Sequence, residues 1–156
     1  MKKVFALLAV SALLLTGCGE KEVSASSDNL PTVTTNQGEA PTIGAPAGNP
    51  PTTLEIKDII VGNGAEALPT STMTVHYTLM TWSNGQLIES SWNGGSPATF
   101  PLANVIVGWQ QGIPGMKVGG RRLLVIPPDL GYGAQGGGPI GPNETLIFVV
   151  DAIGVA

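Results

Sequence analysis

Apolar and polar residues alternate over several short stretches of the chain, as they do in β-strands that bury one face. The clearest stretch runs from Met73 to Leu79, where every second residue is apolar. Asn84 and Gly85 are typical of a tight hairpin turn between two such strands. We predict strands over residues 54–61 (as one strand or a strand with a break), 73–79, 86–91, 121–126 and 146–153.

One stretch of the chain shows helical spacing instead. Apolar residues recur at this spacing at Val105, Ile106, Trp109 and Ile113, with glycines between them and Pro114 after them. Because glycine and proline disfavour helix interiors, the predicted helix is short. The expected fold class is α+β, in which several antiparallel strands curve against one helix that carries Trp109 on its apolar face.

The first 17 residues have the pattern of a secretion signal. Lys2 and Lys3 precede an apolar run from Val4 to Leu15, and small residues follow it. A helix of this run would rise about 18 Å, which is too short for a hydrocarbon core of about 30 Å. We therefore predict a signal peptide over residues 1–17, and no membrane-spanning helix there.

Residues 18–53 are predicted to form a disordered tether. They are rich in Ser, Thr, Pro and Gly and contain no aromatic residue. Their apolar residues are isolated, so we expect no core that would offset the entropy lost on ordering. The remaining residues, 54–156, are enough for one globular domain with a single core.

Charge and cysteine content exclude several classes of function. The chain has 7 Lys+Arg against 11 Asp+Glu, a net charge of −4, which excludes a polybasic nucleic-acid-binding protein. Cys18 is the only cysteine, so one chain cannot build a disulfide, a zinc site or a Cys–His pair from it. No pattern implies a metal ion or an organic cofactor. Arg121 and Arg122 begin a predicted strand, and we expect them at a solvated sheet edge.

The residues Leu15-Thr16-Gly17-Cys18 resemble the lipobox of bacterial lipoproteins. The resemblance implies cleavage before Cys18, attachment of lipid to Cys18 and anchoring in the bacterial cell envelope, outside the cytoplasm. Two or more acyl chains anchor a protein stably, whereas one holds it weakly. Since Gly19 rather than Asp follows the cysteine, the resemblance implies the outer membrane if the cell is Gram-negative.

Six short motifs occur in order through the predicted domain. They are Val75-His76-Tyr77-Thr78, Glu89-Ser90-Ser91, residues 105–109 (VIVGW), residues 112–116 (GIPGM), Gly131-Tyr132-Gly133 and residues 142–148 (PNETLIF). Together they resemble the FKBP-type peptidyl-prolyl cis/trans isomerases. The resemblance implies a curved antiparallel β-sheet wrapped around one short α-helix, and acceleration of X–Pro bond rotation in exported or surface proteins. It implies proline-containing polypeptides and FKBP-directed macrolides as binding partners.

The resemblance also implies a set of site residues. Trp109 would be the floor on which the proline ring lies, and the Ile106 N–H and the Tyr132 hydroxyl would bind ligand carbonyls. The implied catalytic residues are Tyr77, Glu89, Ile106, Trp109, Tyr132 and Phe148, and the implied substrate-binding residues are Ile88, Val105 and Ile140. On the pattern alone, Tyr77 and Phe148 are core residues. Tyr132 lies between two glycines in a loop, which favours a functional role.

Several positions depart from the motifs of this family. Ile88-Glu89 stands where the family usually has Phe-Asp, and Ala98 replaces an aromatic residue. Losing one apolar wall group typically costs about 1–3 kcal/mol, or roughly 10–200-fold. We therefore expect an isomerase with a weakened rate. Two alternatives remain: a tethered module that binds proline segments or small ligands with little turnover, and a surface scaffold without catalysis. His76 is assigned no catalytic role, and a monomer is expected.

Overall fold

The structure, a computed structural model, describes residues 29–156. The predicted signal peptide and Cys18 lie outside these residues. Among residues 29–156, no helix is both long enough and apolar enough to cross a membrane. The strands are β1 (Glu55–Ile60), β2 (Thr72–Thr81), β3 (Leu87–Ser90), β4 (Ala98–Pro101), β5 (Arg121–Ile126) and β6 (Leu146–Val155), and the α-helix of the described residues is α1 (Val107–Gly112).

The six strands form one antiparallel sheet, in which five follow the order β1-β5-β6-β2-β3 and β4 pairs with β2 beside β3. The long strand β2 pairs with β6 along its whole length. Its other edge is shared by β4, which pairs near Met73, and β3, which pairs near Leu79. The prediction of an antiparallel sheet with one short helix is confirmed. The sequence did not predict β4, a strand of only four residues.

The helix α1 packs on one face of the sheet, called here the inner face. Trp109 and Ile113 are buried there among side chains of β2, β5 and β6. Two glycines of α1 allow this close approach, since a Cβ on Gly112 would lie 2.7 Å from the Leu124 Cδ2. Thus Gly108 and Gly112 both shorten the helix and bring it against β5.

The opposite, outer face of the sheet is covered by residues 29–53, which we call the N-terminal strap. Leu30, Val33 and Ile43 pack against a buried cluster formed by Met80, Trp82, Leu123, Val125, Ile147 and Val149. The strap folds back on itself through an antiparallel bridge between Val33 and Ile43. Farther along, the Trp82 indole N–H donates to the Gly48 carbonyl at 3.3 Å.

The prediction of a disordered tether is therefore wrong for residues 29–53. The isolated apolar residues of this segment do not form a core of their own. They pack instead against the outer face of the sheet, because β5 and β6 are apolar on both faces and this outer face must be covered. The part of the predicted tether before residue 29 lies outside the described residues.

Arg121 is the main polar link between the strap and the sheet. Its side chain is fully buried, and its Nε donates to Asp151 Oδ1 at 2.7 Å. Its two terminal nitrogens donate to strap carbonyls, at 2.9 Å to Thr34 and 2.7 Å to Glu39. Burial raises the pKa of Asp151, while the Arg121 guanidinium and His76 act in the opposite direction.

The neighbouring Arg122 is also buried, and it lies on the inner side of β5. It forms a two-point pair with Asp58 of β1, at 2.6 and 3.0 Å, and donates to the Gly112 carbonyl at the end of α1. The expectation of a solvated edge is thus wrong for both arginines. Each guanidinium is buried because backbone carbonyls and a carboxylate satisfy its donors.

Replacing Arg121 with Met should destabilise the fold by about 3–5 kcal/mol, because Asp151 would remain buried without its counter-charge. Urea unfolding at neutral pH measures this loss, and Lys117→Met, at an exposed position, is the control. The loss should shrink as the pH falls toward the ordinary aspartate pKa of 3.8, since protonated Asp151 needs no partner. An unchanged midpoint in Arg121→Met would contradict the assigned role.

Candidate functional site

A cavity of about 260 Å³ lies on the inner face of the sheet, beside the start of α1. Strands β2, β3, β4 and β6 supply one side of it, and α1 with the loop before it supplies the other. The lining residues are Tyr77, Leu79, Glu89, Phe100, Asn104, Val105, Ile106, Trp109, Tyr132 and Phe148. Most of these side chains are apolar or aromatic, as in pockets that bind small apolar groups.

Four aromatic rings give the cavity its shape. Tyr77, Phe100 and Phe148 each stand nearly perpendicular to the Trp109 indole, at interplanar angles of 84°, 87° and 83°. The ring centroids lie 5.3–5.9 Å from that of the indole. Edge-to-face contacts at these distances are favourable in themselves. The result is a box with Trp109 as its floor and three aromatic walls.

One carboxylate reaches this box. The Tyr77 hydroxyl donates to Glu89 Oε1 at 2.6 Å. Burial, together with this hydrogen bond and the nearby carboxylate, raises the pKa of Tyr77 well above its usual value. Tyr77 therefore stays protonated, and its ring is held in place by the bond to Glu89. Glu89 itself is exposed and lies across the ladder from Leu79.

The peptide between Val105 and Ile106 borders the cavity at the start of α1. The Ile106 carbonyl accepts from Trp109 N at 3.0 Å, which begins the helix. The Ile106 N–H makes no hydrogen bond with any of residues 29–156. A free N–H beside an apolar cavity is a donor that a bound carbonyl can use.

Tyr132 reaches the cavity from the glycine-rich loop after β5. Its side chain is 42% exposed, unlike the walls formed by the sheet. The loop packs closely on its ring, because a Cβ on Gly137 would lie 3.1 Å from the Tyr132 Cδ1. Glycine at this position therefore lets the ring turn toward the cavity, with the hydroxyl available to a ligand.

The structure brings most of the expected site residues together. Those that line the cavity are Tyr77, Glu89, Val105, Ile106, Trp109, Tyr132 and Phe148. Two expected substrate-binding residues lie elsewhere. Ile88 sits at an irregularity in the β2–β3 pairing and packs against the core, while Ile140 is 5% exposed within it. Both pack with the core, and neither is among the residues that line this cavity.

Sequence reasoning missed three lining residues: Leu79, Phe100 and Asn104. Leu79 was assigned to a strand and not to the site. Phe100 lies two residues after Ala98 and so on the same face of β4, but this relation depends on a strand that the sequence did not predict. It contacts both Tyr77 and Trp109, and it supplies an aromatic wall near the position where Ala98 has none. No sequence signal indicated Asn104.

His76 lies outside the cavity lining. Its ring stacks on Trp92 at a centroid distance of 4.0 Å, and its Nδ1 is 3.0 Å from the Ser91 hydroxyl. Ser91 also accepts from the Tyr77 N–H at 2.9 Å, so this group ties the turn after β3 to β2. Among the residues described, no three His, Cys, Asp or Glu side chains are grouped as they would be around a metal ion.

Comparisons with known proteins agree with this geometry. The sequence model of the family described as FKBP-type peptidyl-prolyl cis-trans isomerase matches residues 64–153. A Corynebacterium glutamicum protein named "Probable FK506-binding protein" is 50% identical over 115 residues, which are 74% of this chain and 98% of the relative. The "Outer membrane protein MIP" of Legionella longbeachae is 42% identical over 106 residues, covering 67% of this chain and 45% of that protein.

A solved structure gives the same picture of the fold. The crystal structure of FkpA from Escherichia coli superposes with a TM-score of 0.62 at 36% identity. The match covers 65% of this chain and 47% of the FkpA chain.

Titration should show that Tyr77 keeps its proton above pH 10.0, the ordinary tyrosine pKa. The tyrosinate absorbance of the wild type and of Tyr77→Phe should coincide up to that pH and separate only above it. Because the folded-state pKa is raised, the stability that Tyr77 contributes is present below pH 10.0 and is lost as the pH rises through the raised value. A difference between the two curves below pH 10 would contradict this assignment.

Proposed function

The chain belongs to the FKBP-type peptidyl-prolyl cis-trans isomerases, and we propose that the aromatic box over Trp109 is where it rotates the X–Pro bond. The observation that carries this proposal is the geometry of three rings standing perpendicular to one indole. A compact, apolar five-membered proline ring can lie on such a floor and be enclosed on its edges. Two other cavities, one beside Gly62 and one beside Pro50, have no aromatic side chain in their linings.

The reaction requires no covalent chemistry from the protein. Rotation about an X–Pro bond is slow because of the partial double-bond character of the amide, with a barrier near 20 kcal/mol. No bond forms or breaks, so a catalyst need only bind the twisted amide better than the planar one. The twisted amide has lost conjugation and is less polar across its C–N bond. A dry aromatic box with few, fixed donors therefore favours it over the planar form.

Eight of the ten lining residues have a role in this proposal. Trp109 is the floor, and Tyr77, Phe100, Phe148 and Val105 are the walls. The Ile106 N–H and the Tyr132 hydroxyl are the donors to substrate carbonyls. Glu89 holds the Tyr77 hydroxyl and so fixes the wall that this ring forms. Ile88 and Ile140 act indirectly, by packing with the core.

Removing the floor should abolish most of the activity. Trp109→Ala is expected to lower kcat/KM by at least roughly tenfold, since the loss of even one methylene group from an apolar pocket typically costs roughly 10–200-fold. Exchange of cis and trans Leu–Pro and Phe–Pro peptides, followed by NMR, measures the rate, with the macrolide FK506 as a competing ligand. The chain from residue 19 to residue 156 should be used, because it keeps the strap. Full activity in Trp109→Ala would refute the placement of the site.

Two further variants compare a change inside the cavity with a change of an aromatic residue outside it. Tyr132→Phe removes only the exposed hydroxyl and should cause a smaller loss, of roughly three- to tenfold. Trp92→Phe keeps the stack on His76 and lies outside the cavity lining, so its activity should match the wild type. Catalysis absent from the folded wild type, with FK506 still bound, would favour a binding module over an isomerase.

We further propose that the enzyme works in the bacterial cell envelope on exported or surface proteins, held there by lipid on Cys18. The support is the apolar run of residues 4–15 followed by Leu15-Thr16-Gly17-Cys18. The name of the Legionella longbeachae relative, an outer membrane protein, is consistent with this location. Proline-containing segments of such proteins would be the substrates, and the active chain would be a monomer.

Replacing Cys18 should abolish lipid attachment. In a Gram-negative host, the wild type is expected to incorporate radiolabelled palmitate. Cys18→Ala should incorporate none, while its isomerase activity is unchanged, because Cys18 lies outside the domain. Gly19→Asp is the matched control, which should keep the label. Labelling of Cys18→Ala would show that the lipid is attached elsewhere or that the motif is not used.

A further inference from the structure

Gln110 makes two contacts with the segment that borders the cavity. Its backbone N donates to the Ile106 carbonyl at 3.2 Å, as part of α1. Its side-chain Nε2 donates to the Val105 carbonyl at 2.8 Å. One residue of the helix thus holds two successive carbonyls, one on each side of Ile106.

The carbonyl that the side chain of Gln110 holds is part of a particular peptide group. The Val105 C=O and the Ile106 N–H belong to the same planar unit, and in a trans peptide they point in opposite directions. A donor that fixes the direction of the carbonyl therefore fixes the direction of the N–H as well. The Ile106 N–H has no acceptor among residues 29–156 and borders the cavity.

A hydrogen bond on the carbonyl side also changes the N–H electronically. Hydrogen bonds in a chain polarise one another, and each is strengthened by roughly 10–30%. The Val105–Ile106 peptide would be the middle member of such a chain, with Gln110 on one side and the substrate carbonyl on the other. An N–H that is oriented before the substrate arrives loses less free energy on binding it.

We infer that Gln110 is a positioning residue, which aims and polarises the Ile106 N–H for the substrate carbonyl. This inference rests on the proposed function, in which that N–H is a substrate-binding donor. The amide type of the side chain is essential, because a carboxylate at residue 110 has no proton to donate to the Val105 carbonyl. Gln110 itself is exposed and does not line the cavity, so it acts only through this peptide.

The neighbouring Gln111 provides a matched control within the same helix. It is exposed and makes no side-chain hydrogen bond with the residues that the structure describes. Methionine has nearly the length and helix propensity of glutamine but no donor. Lysine also suits a helix and restores a donor that can reach the carbonyl. Comparing Gln110→Met, Gln110→Lys and Gln111→Met therefore isolates the hydrogen bond from the shape of the side chain.

Gln110→Met should raise KM for a Leu–Pro peptide by roughly two- to tenfold, where the upper limit is the loss of one whole hydrogen bond, with kcat within about twofold. The Ile106 amide ¹⁵N resonance should move upfield in the same variant, because its peptide carbonyl has lost a donor. Gln110→Lys should recover most of both values, and Gln111→Met should match the wild type in both. Thermal unfolding of each variant measures any general loss of stability.

An unchanged KM and an unchanged Ile106 resonance in Gln110→Met would overturn the inference, as would a loss of stability without either effect. A Gln110→Lys variant as poor as Gln110→Met would also overturn it, since a donor would then not be the cause. Failure of the proposed function looks different, because Trp109→Ala would then keep full activity whatever the result at Gln110.

Discussion

The fold depends on the apolar character of both faces of its two central strands. All six residues of β5 are buried, and so are the first seven of β6. A sheet of this kind is stable only if something covers each face. The short helix covers part of the inner face, and the N-terminal strap covers the outer one. The domain is therefore three layers deep, although only the middle layer has regular structure over most of its length.

The same constraint leaves room for the site. Six residues of helix span about 9 Å, whereas the ten-residue strands β2 and β6 each extend to about 33 Å. The helix cannot cover the inner face alone, and aromatic side chains fill much of the rest. The cavity lies where their rings meet the first turn of the helix. The cavity lining and the core thus share residues, so that Trp109 is both a buried core side chain and the floor of the box.

The sequence predicts a structural feature well when the residues that cause it are close together in the chain, and poorly when they are far apart. Alternation along β2 and the apolar run of β5 identified these strands, because the residues of a strand themselves show whether one or both of its faces are buried. The burial of Arg121 was missed, since its carbonyl partners lie 82 and 87 residues away in a segment without regular structure. One signal was available: β5 and β6 do not alternate, which indicates a cover on each face, and a single helix cannot supply two.

The same distinction between local and distant causes applies to the site. The ordered motifs identified most of the residues that line the cavity. Phe100 was missed because it lies on a four-residue strand that periodicity could not detect. The link between Gln110 and the Val105 carbonyl depends on the path of the chain into the helix, for which single-residue patterns carry no information. Ile88 and Ile140, which the resemblance placed in the binding site, do not line the cavity. For Ile88, an irregularity of one residue in the β2–β3 pairing decides which face of the strand its side chain is on.

The strap also limits the distance between the folded domain and the proposed lipid anchor on Cys18. If residues 19–53 were all free, a fully extended chain would reach on the order of 110 Å from Cys18. With residues 29–53 bound to the sheet, only ten positions, 19–28, remain between the proposed lipid and the folded body. Their extended length is at most about 35 Å. This segment is then about as long as the domain is wide. The enzyme would therefore meet only polypeptide chains that pass close to the membrane surface.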